Sequence, residues 1–233
     1  MADPGEARRR PSLTSPTYAV RAPLAAWLRA EAELAGGRRP PPRLLDVGCG
    51  AKPYAPFFAG KVAEYVGVDV ANPHADLEGS VEEIPVPDGS FELVLCTQTL
   101  EHANDPARAV RELRRVVAAG GQVLVSTHGV QVYHPNPDDL WRWTHAGLER
   151  LFRENGDWSA VEVAPGSGTT ACVGMLVATY VDLLAKRVRA RALGAPLIGG
   201  VNALARAIDG RSPALRETAP GTIFANYHVT AAP

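Results

Sequence analysis

The chain has 233 residues, 46% of them hydrophobic, which is enough for the core of one domain. Its net charge of -1 and its pI near 6.6 argue against a nucleic acid or an anionic membrane as the main partner. Three cysteines without metal-like spacing favour a reduced, cytoplasmic protein over a disulfide scaffold. Only three of the 24 basic residues are lysine, which favours GC-rich coding and a bacterial source.

The chain opens with a segment for which no regular structure is predicted. Residues 1–16 mix Pro, Gly, Ser and Arg and predict a flexible or loosely attached tail, in which the arginines at positions 8 to 10 are interpreted as solvated charge. No apolar stretch follows these arginines, so no signal peptide is expected. Pro23 suits the first turn of a helix that Gly36 and Gly37 would end.

Residues 43–50, Arg-Leu-Leu-Asp-Val-Gly-Cys-Gly, predict a short buried strand that enters a tight turn. Gly48 and Gly50 can adopt backbone angles closed to other residues, so the turn can bring backbone amides close to a ligand. A plain strand-to-loop turn is the alternative. A second strand, residues 65–69, ends at Asp69, 19 residues beyond Gly50, where dinucleotide folds place the carboxylate that holds the ribose hydroxyls. Together the two features favour a nucleotide-type cofactor site.

The next elements alternate between strand and helix. Prolines in residues 51–58 predict a short or irregular helix, and residues 91–96 predict a central strand. A helix is expected to begin at residues 104–106, Asn-Asp-Pro, and to stop at glycines 120–121, with a buried strand at residues 122–126. This order predicts a right-handed parallel crossover and hence an α/β fold, whose ligands bind beyond the carboxyl ends of the strands.

The last part of the chain predicts two strands separated by a helical insertion. Thr144 can cap a helix, and residues 158–163 and 222–230 predict strands. The segment between them, about residues 165–220, is far longer than an ordinary loop and is interpreted as a lid, a substrate wall or a dimer face. Its apolar run, residues 171–181, is too short to span a bilayer and predicts a buried helix.

The order of these motifs resembles a class I S-adenosylmethionine-dependent methyltransferase of the small-molecule group. The segments that carry the resemblance are residues 44–50, 67–69, 82–92, 100–102 and 105–106, and it is close over residues 43–128. It implies a Rossmann-like, mostly parallel seven-stranded sheet with helices on both faces and a helical insertion before the last strand. Residues 17–233 would then form a single methyltransferase domain that binds S-adenosyl-L-methionine.

The resemblance also implies a set of cofactor-binding residues. These are Asp46, Gly48, Cys49, Gly50, Asp69, Val70, Ser80, Val81, Glu82 and Cys96. Asp46 would lie near the ammonium group of the cofactor, and Asp69 would accept both ribose hydroxyls. Many family members have an acidic residue where Ser80 stands, so adenine recognition would depend on the backbone of Val81 and Glu82.

Methyl transfer from a sulfonium needs in-line approach and the exclusion of water, and a hydroxyl acceptor would also benefit from a general base. His128 and His134 follow the fifth strand and are the first candidates, with His102 next. For His102, an ordering role in the loop after the fourth strand is the favoured interpretation. The acceptor is expected to be a small molecule methylated at oxygen.

Three further residues, Tyr133, Trp141 and Arg142, are candidates for contacting the acceptor, although at least one of the flanking tryptophans more simply anchors the next helix. Two histidines with Asp138 match no strong metal motif, so no metal is expected. No nucleic acid or membrane partner is expected, and the helical insertion offers a possible homodimer face.

Two other functions remain open at this stage. An NAD-dependent oxidoreductase would share the strand, the glycine turn and the acid, but Pro53 stands where the third glycine of G-x-G-x-x-G would be. A protein that keeps the cofactor fold without methylating is the second alternative, because function does not follow from fold.

Overall fold

The computed structural model describes residues 5–135 and 138–233 of the chain. In these residues seven strands form one sheet: β1 Arg43–Val47, β2 Glu64–Asp69, β3 Leu77–Glu78, β4 Phe91–Thr97, β5 Val117–His128, β6 Ala160–Pro165 and β7 Asn226–Ala232. Their order is β3-β2-β1-β4-β5-β7-β6. Only β7 runs antiparallel to its neighbours, β5 and β6. The predicted mostly parallel α/β sheet is therefore confirmed.

Helices cover both faces of the sheet. Their bounds are α1 Glu6–Arg9, α2 Tyr18–Gly37, α3 Ala55–Phe58, α4 Pro106–Val116, α5 His145–Glu154, α6 Thr169–Arg187 and α7 Arg191–Arg211. Successive side chains of a strand point to opposite faces. In β1, Leu44 belongs to the core with α2 and α3, whereas Leu45 belongs to the core with α4 and α5. The sheet is thus buried on both sides, as parallel sheets are.

Two helix starts follow the predicted caps. The Asp105 carboxylate accepts a hydrogen bond from the Arg108 amide at 3.0 Å, and the Thr144 hydroxyl accepts one from the Gly147 amide at 3.1 Å. Each bond satisfies an amide that has no partner within its helix. These caps fix where the chain leaves the two loops that line the carboxyl edge of the sheet.

Two predicted boundaries were wrong. Helix α2 begins at Tyr18, five residues before Pro23, which therefore lies in the second turn. Its ring removes only the bond to the carbonyl of Ala19, so the helix continues through it. Helix α4 ends at Val116 rather than at the glycines, because Val117 already pairs with Phe91 in the sheet. The pairing of β5 with the central strand takes precedence over the local helical pattern.

The segment expected to be a loose tail lies against the domain from residue 5 onward, and residues 1–4 are outside the described part. Helix α1 precedes α2, and the Arg9 guanidinium donates to the Pro53 carbonyl at 2.5 Å. The buried Asn202 amide donates to the carbonyls of Leu13 and Ser15 at 2.7 and 2.9 Å. These side-chain bonds to backbone carbonyls hold a segment whose composition predicts no structure.

The insertion between β6 and β7 contains α6 and α7, joined by a short turn, and a 3-10 helix at Pro213–Arg216. Helix α6 covers the predicted residues 171–181, but it is buried on one side only: Cys172, Met175 and Ala178 are buried. The other side is exposed, with Val173, Leu176, Val177 and Tyr180. Helix α6 is long and apolar enough, by length and composition, to cross a membrane, with a mean hydropathy of 1.3 and 33% of its most apolar window buried. An apolar pattern identifies the helix but does not say which of its faces is covered.

Candidate active site

A cavity of about 590 Å³ opens at the carboxyl ends of β1, β2, β4 and β5. Predicted cofactor residues on its wall are Gly48, Gly50, Asp69, Val70, Ser80, Val81 and Glu82. Predicted base candidates on its wall are His102, His128 and His134. The two groups are far apart in sequence but share one cavity, because the parallel strands end at the same edge.

The turn after β1 has a shape that requires glycine at two positions. Gly48 has φ +71° and Gly50 has φ +53°. A Cβ atom on Gly48 would lie 2.2 Å from the Thr99 hydroxyl oxygen, whereas one on Gly50 would meet nothing within 4 Å. Gly48 therefore lets the turn pack closely against the loop after β4. Gly50 leaves open space where a ligand can approach the backbone.

Asp69 stands at the end of β2 beside this turn. One of its carboxylate oxygens accepts from the Gly50 amide at 2.8 Å and the other from the Val70 amide at 2.9 Å. These bonds orient the carboxylate at the cavity wall. Because an ionised carboxylate has about four acceptor positions, two remain for hydroxyl donors of a ligand.

Three predicted cofactor residues, Asp46, Cys49 and Cys96, lie behind the cavity wall. All three are buried, with Cys96 inside the sheet. The Tyr65 hydroxyl donates to Asp46 at 2.6 Å, and the other Asp46 oxygen is buried without a partner. Burial raises the pKa of Asp46 to about 6. These side chains point into the core under the turn, so they support the turn.

Ser80, Val81 and Glu82 are the residues predicted to lie near the adenine ring. Ser80 and Val81 line the wall, with Val81 nearly buried. The Ser80 hydroxyl accepts from the Glu82 amide at 3.2 Å, and the Glu82 carboxylate accepts from the Asn104 amide at 2.6 Å. The Glu82 side chain therefore ties this loop to the residues just before α4.

The three histidines form one cluster. The ring centroids of His102 and His134 are 5.2 Å apart, and those of His128 and His134 are 5.1 Å apart. His134 is thus central in the cluster. Its loop is described up to residue 135 and again from residue 138.

His128 is the least accessible of the three. Its Nε2 atom lies 3.1 Å from Glu101, whose other carboxylate oxygen accepts from the Thr127 hydroxyl at 2.8 Å. Burial raises the pKa of Glu101 to about 7 and lowers the pKa of His128 to about 3. Although 3.1 Å is an ion-pair distance, both shifts oppose charge, and the low pKa of His128 keeps its imidazole neutral at pH 7. The Nδ1 atom of His128 is buried without a partner.

His134 faces a carboxylate on one side and the cavity on the other. Its Nδ1 atom lies 3.1 Å from Asp139. Both terminal nitrogens of the Arg142 guanidinium donate to that carboxylate, at 2.5 and 2.6 Å, and hold the pKa of Asp139 well below its usual range. Arg142, predicted to contact the acceptor, is therefore engaged in orienting Asp139.

His102 has a defined tautomer. Its Nδ1 atom lies 2.7 Å from the backbone carbonyl of Asp138, which can only accept, so Nδ1 carries the hydrogen. Burial lowers the pKa of His102, and the carbonyl of Asp138 opposes that effect. The ring is neutral at pH 7, with a lone pair on Nε2.

Two other predicted acceptor residues do not line the cavity. The Trp141 indole donates to the Ala103 carbonyl at 2.7 Å and stacks on Trp143 at 5.7 Å between ring centroids. Tyr133 is 75% exposed. Trp141 is thus bonded to the loop before α4, so its only polar side-chain atom is not available to an acceptor.

The fold also brings together a trio that spacing did not predict. One ligand atom each of Glu101, His102 and His134 lie within 4.8 Å of one another. A carboxylate and two imidazoles could hold a divalent cation. The trio differs from the set considered in the sequence, which contained Asp138, because adjacent loops and not chain spacing place Glu101 beside His134.

A family model described as a methyltransferase domain matches residues 19–161, well over half of the chain. The chain belongs to this methyltransferase family. The match confirms the class I S-adenosylmethionine-dependent methyltransferase recognised from the motifs, and it sets aside the NAD-dependent oxidoreductase. The matched segment contains the glycine turn, Asp69 and the whole histidine cluster.

Relatives of this methyltransferase match only part of it. A ubiquinone biosynthesis O-methyltransferase of Pseudomonas aeruginosa is 35% identical in an alignment of 121 positions, which covers 43% of this chain and 48% of the relative. The uncharacterized methyltransferase YcgJ of Bacillus subtilis is 31% identical in an alignment of 102 positions, which covers 37% of this chain and 40% of the relative. The matched segment thus spans less than half the length of either relative.

Solved structures agree on the fold of the methyltransferase. The [4+2]-cyclase SpnF superposes with a TM-score of 0.57 at 21% identity, covering 91% of this chain and 81% of its own. A Thermotoga maritima S-adenosylmethionine-dependent methyltransferase, described as a possible histamine N-methyltransferase, gives 0.51 at 16% identity, covering 97% and 91%. At these identities the likeness establishes the Rossmann-like architecture alone.

Sequence reasoning missed two cationic residues of the methyltransferase cavity, Arg8 and Arg21. Burial lowers the pKa of Arg21, and the neighbouring charge of Arg8 lowers it further. Arg8 had been interpreted as solvated charge. A signal existed for Arg21, which lies three residues before the buried Leu24 and hence near the covered face of α2. The sequence contains no such signal for Arg8, because only the fold brings α1 to the cavity.

Proposed function

We propose that this methyltransferase transfers the methyl group of S-adenosylmethionine to a hydroxyl oxygen of a small molecule. The observation that carries the proposal is the shared cavity. The glycine turn and Asp69 stand on its wall, together with a cluster of three histidines, in which His134 lies 3.1 Å from the Asp139 carboxylate. Its volume of about 590 Å³ is in the range of small-molecule sites.

The residues of the cavity fit the proposed cofactor. Asp69 has acceptor positions left for two ribose hydroxyls, and Gly50 leaves its backbone accessible. Arg8 and Arg21 place two positive charges at the cavity, where they would neutralise the carboxylate of the methionine part. Val81 offers an apolar residue on the cavity wall for an adenine ring. Each role uses a residue on the cavity wall.

His134 is the proposed general base. Its Nδ1 atom faces the Asp139 carboxylate, so the second ring nitrogen is available to an acceptor in the cavity. Asp139 would stabilise the imidazolium that forms when the ring takes a proton, as a carboxylate does for a catalytic histidine. His128 is a weaker candidate because one of its nitrogens faces Glu101 and the other is buried.

When bound, the cofactor supplies a methyl group on a sulfonium, and the electron pair of the breaking carbon–sulfur bond stays with sulfur. The hydroxyl oxygen of the acceptor would bond to the methyl carbon, and His134 would take the hydroxyl proton. Arg142 holds Asp139 in place during this transfer. Oxygen as the acceptor atom is supported by the base and by the relatives whose names specify O-methylation.

The proposal is tested with purified protein, S-adenosylmethionine carrying a labelled methyl group, and a panel of small phenols and catechols. With an acceptor identified, His134→Gln should lower kcat about a hundredfold to ten-thousandfold while the cofactor Kd is retained. Asp139→Asn should lower kcat less and shift the pH profile, because Asp139 acts through the ring. His74→Gln, in a loop outside the cavity, is the matched control.

Two results would change the assignment. Unchanged kcat in His134→Gln from pH 6 to 9 would remove the base, and methylation only of amines in a matched panel would remove oxygen as the acceptor. Activity is also measured before and after exhaustive chelation. A loss that added divalent metal restores would assign Glu101, His102 and His134 to a metal ion instead.

A further inference from the structure

The two helices of the insertion carry a row of exposed large apolar side chains. They are Val173, Leu176, Val177, Tyr180, Leu183, Leu184 and Val188 at the α6 end, and Leu193, Leu197, Leu204 and Ile208 on α7, between 37% and 70% exposed. We call this set the hairpin face. It lies beyond the segment matched by the methyltransferase family, residues 19–161.

The hairpin face is a single surface. The helices pack along a line of small residues, where a Cβ on Gly174 would lie 3.1 Å from Ala205 and a Cβ on Gly194 would lie 2.6 Å from Ala185. At about 100° per residue, the exposed apolar positions of both helices fall on one side of this line. The opposite side faces the domain, where Met175 packs in a cluster with residues of α2.

The exposed apolar area of the hairpin face is large for a monomeric protein. Its members together expose on the order of 1,000 Å² of side chain, above the roughly 300–600 Å² of the largest apolar patch on a typical monomer. A patch of that size marks a docking surface. At its base, Met175 contacts Gln131 of the cavity wall, with 3.8 Å between sulfur and amide nitrogen.

The net charge of the hairpin indicates a negatively charged partner. Residues 169–211 contain six lysines and arginines and two aspartates, a net +4 in a chain whose total is -1. Four of the cations stand within residues 186–191, at the turn between the helices, and all four are exposed. Both aspartates are engaged: Asp182 with Lys186 at 2.5 Å, and Asp209 with the amides that begin α6.

We propose that the α6–α7 hairpin docks on an anionic lipid bilayer, lying in the headgroup region with the hairpin face toward the acyl chains. Helices with one apolar face and flanking arginines bind membranes in this way. The whole-chain charge of -1, from which no membrane partner was expected, conceals this local excess of positive charge. The proposal does not depend on methyl transfer.

The hairpin lies on the bilayer and does not cross it. Its two ends are tied to each other, because the buried Asp209 carboxylate of α7 accepts from the Thr170 and Ala171 amides of α6 at 3.1 and 2.9 Å. Met175 of α6 packs against α2. Asn202 of α7 is bonded to the segment before α2. One side of each helix is therefore committed to protein.

A second copy of the chain fits this surface less well. A two-fold interface would bring two hairpins of net +4 together, and a like-charge arrangement of this kind opposes association. No carboxylate on the hairpin face is available to offset it, since both aspartates in this described segment are engaged. An anionic bilayer instead supplies the missing negative charge.

The test is flotation of the full-length protein with vesicles of phosphatidylcholine alone or with about one-third phosphatidylglycerol. We expect binding to the anionic vesicles and its weakening by salt. Replacing Arg187, Arg189 and Arg191 by Gln should weaken partitioning on the order of a hundredfold, from roughly fivefold per cation. Replacing Leu193 and Leu197 by Gln should weaken it roughly tenfold per leucine.

Matched controls are Arg150→Gln with Arg153→Gln, exposed cations of α5, and Leu34→Gln, an exposed leucine of α2. Circular dichroism and retained S-adenosylmethionine binding show that each variant is folded. Absence of the wild-type protein from the anionic vesicle fraction overturns the proposal. So does a dimer in light scattering that the leucine variants convert to a monomer, because the hairpin face would then belong to a second copy.

Discussion

Alanine substitutions at Gly48 and Gly50 of the turn after β1, and at Gly60 after α3 as a control, separate backbone strain, steric clash and ligand contact. All three glycines have positive φ, at 71°, 53° and 72°. A Cβ at Gly48 would lie 2.2 Å from the Thr99 hydroxyl oxygen, whereas one at Gly50 or Gly60 would meet nothing within 4 Å. Of these three glycines, Gly48 and Gly50 line the cavity and Gly60 does not. All three variants would therefore have backbone strain from a positive φ. Only Gly48→Ala would also clash with Thr99, and only Gly48→Ala and Gly50→Ala could affect a ligand in the cavity.

The expected magnitudes follow from these distances. Gly50→Ala and Gly60→Ala should each lower the free energy of unfolding by about 1–2 kcal/mol, the cost of a left-handed conformation for an L residue. Gly48→Ala should lower it by about 2–5 kcal/mol, because overpacking adds about 1–3 kcal/mol. For a chain of this size, each kcal/mol lowers Tm by about 2–4 °C. Adding Thr99→Ala to Gly48→Ala should restore part of the lost stability, because it removes the hydroxyl group that clashes.

Calorimetry with S-adenosylmethionine then reports on the ligand. Gly60→Ala should keep the cofactor affinity of the wild-type protein, whereas Gly50→Ala should weaken it at least about tenfold, because a methyl group would occupy the open space above the backbone. The two variants have matched strain, so a difference in affinity is due to position. Equal affinity in Gly50→Ala and Gly60→Ala would refute the assignment of this turn to the cofactor.

Two further predictions concern pH and the N-terminal segment. The folded pKa of Asp46, about 6, lies above its ordinary value of 3.8, so its contribution to stability is present below pH 4 and is lost as pH rises to about 6. The side chain that Asp46→Asn introduces cannot ionise, so the free energy of unfolding of this variant should rise relative to wild type by up to about 3 kcal/mol as pH increases from about 4 to about 6. Urea unfolding across this pH range measures the difference. A difference that does not change with pH would contradict the raised pKa. Asn202→Ala removes the amide that donates to the carbonyls of Leu13 and Ser15, which should lower the free energy of unfolding by about 1–3 kcal/mol. Limited digestion with trypsin should then cleave the chain at the N-terminal arginines faster than in wild type. Equal cleavage rates would refute this anchoring role.

The cofactor half of the candidate site could be predicted because its signals are local. The strand of residues 43–47 and the glycines that follow it are adjacent in sequence, and their backbone requirements depend only on residue type. Asp69 follows at a spacing set by one strand–helix–strand unit. Caps at Asp105 and Thr144 are equally local, since each side chain bonds an amide three residues on.

The other half of the site depends on contacts that sequence spacing does not encode. Glu101 lies against His128, and Asp139 against His134, because two loops meet at the sheet edge. Arg8 reaches the cavity only through the packing of α1.

By itself the sequence determined the order of strands and helices, the glycine turn and the carboxylate that follows it, because periodicity, caps and backbone freedom act within a few residues. It also determined that the insertion is helical and apolar. The tertiary structure decided that His134 lies beside Asp139 and that His128 is buried against Glu101. It also decided that the apolar stripes of α6 and α7 face away from the domain. Burial and charge pairing are properties of neighbours in space, and one stripe of leucines has the same sequence pattern whether protein or solvent covers it.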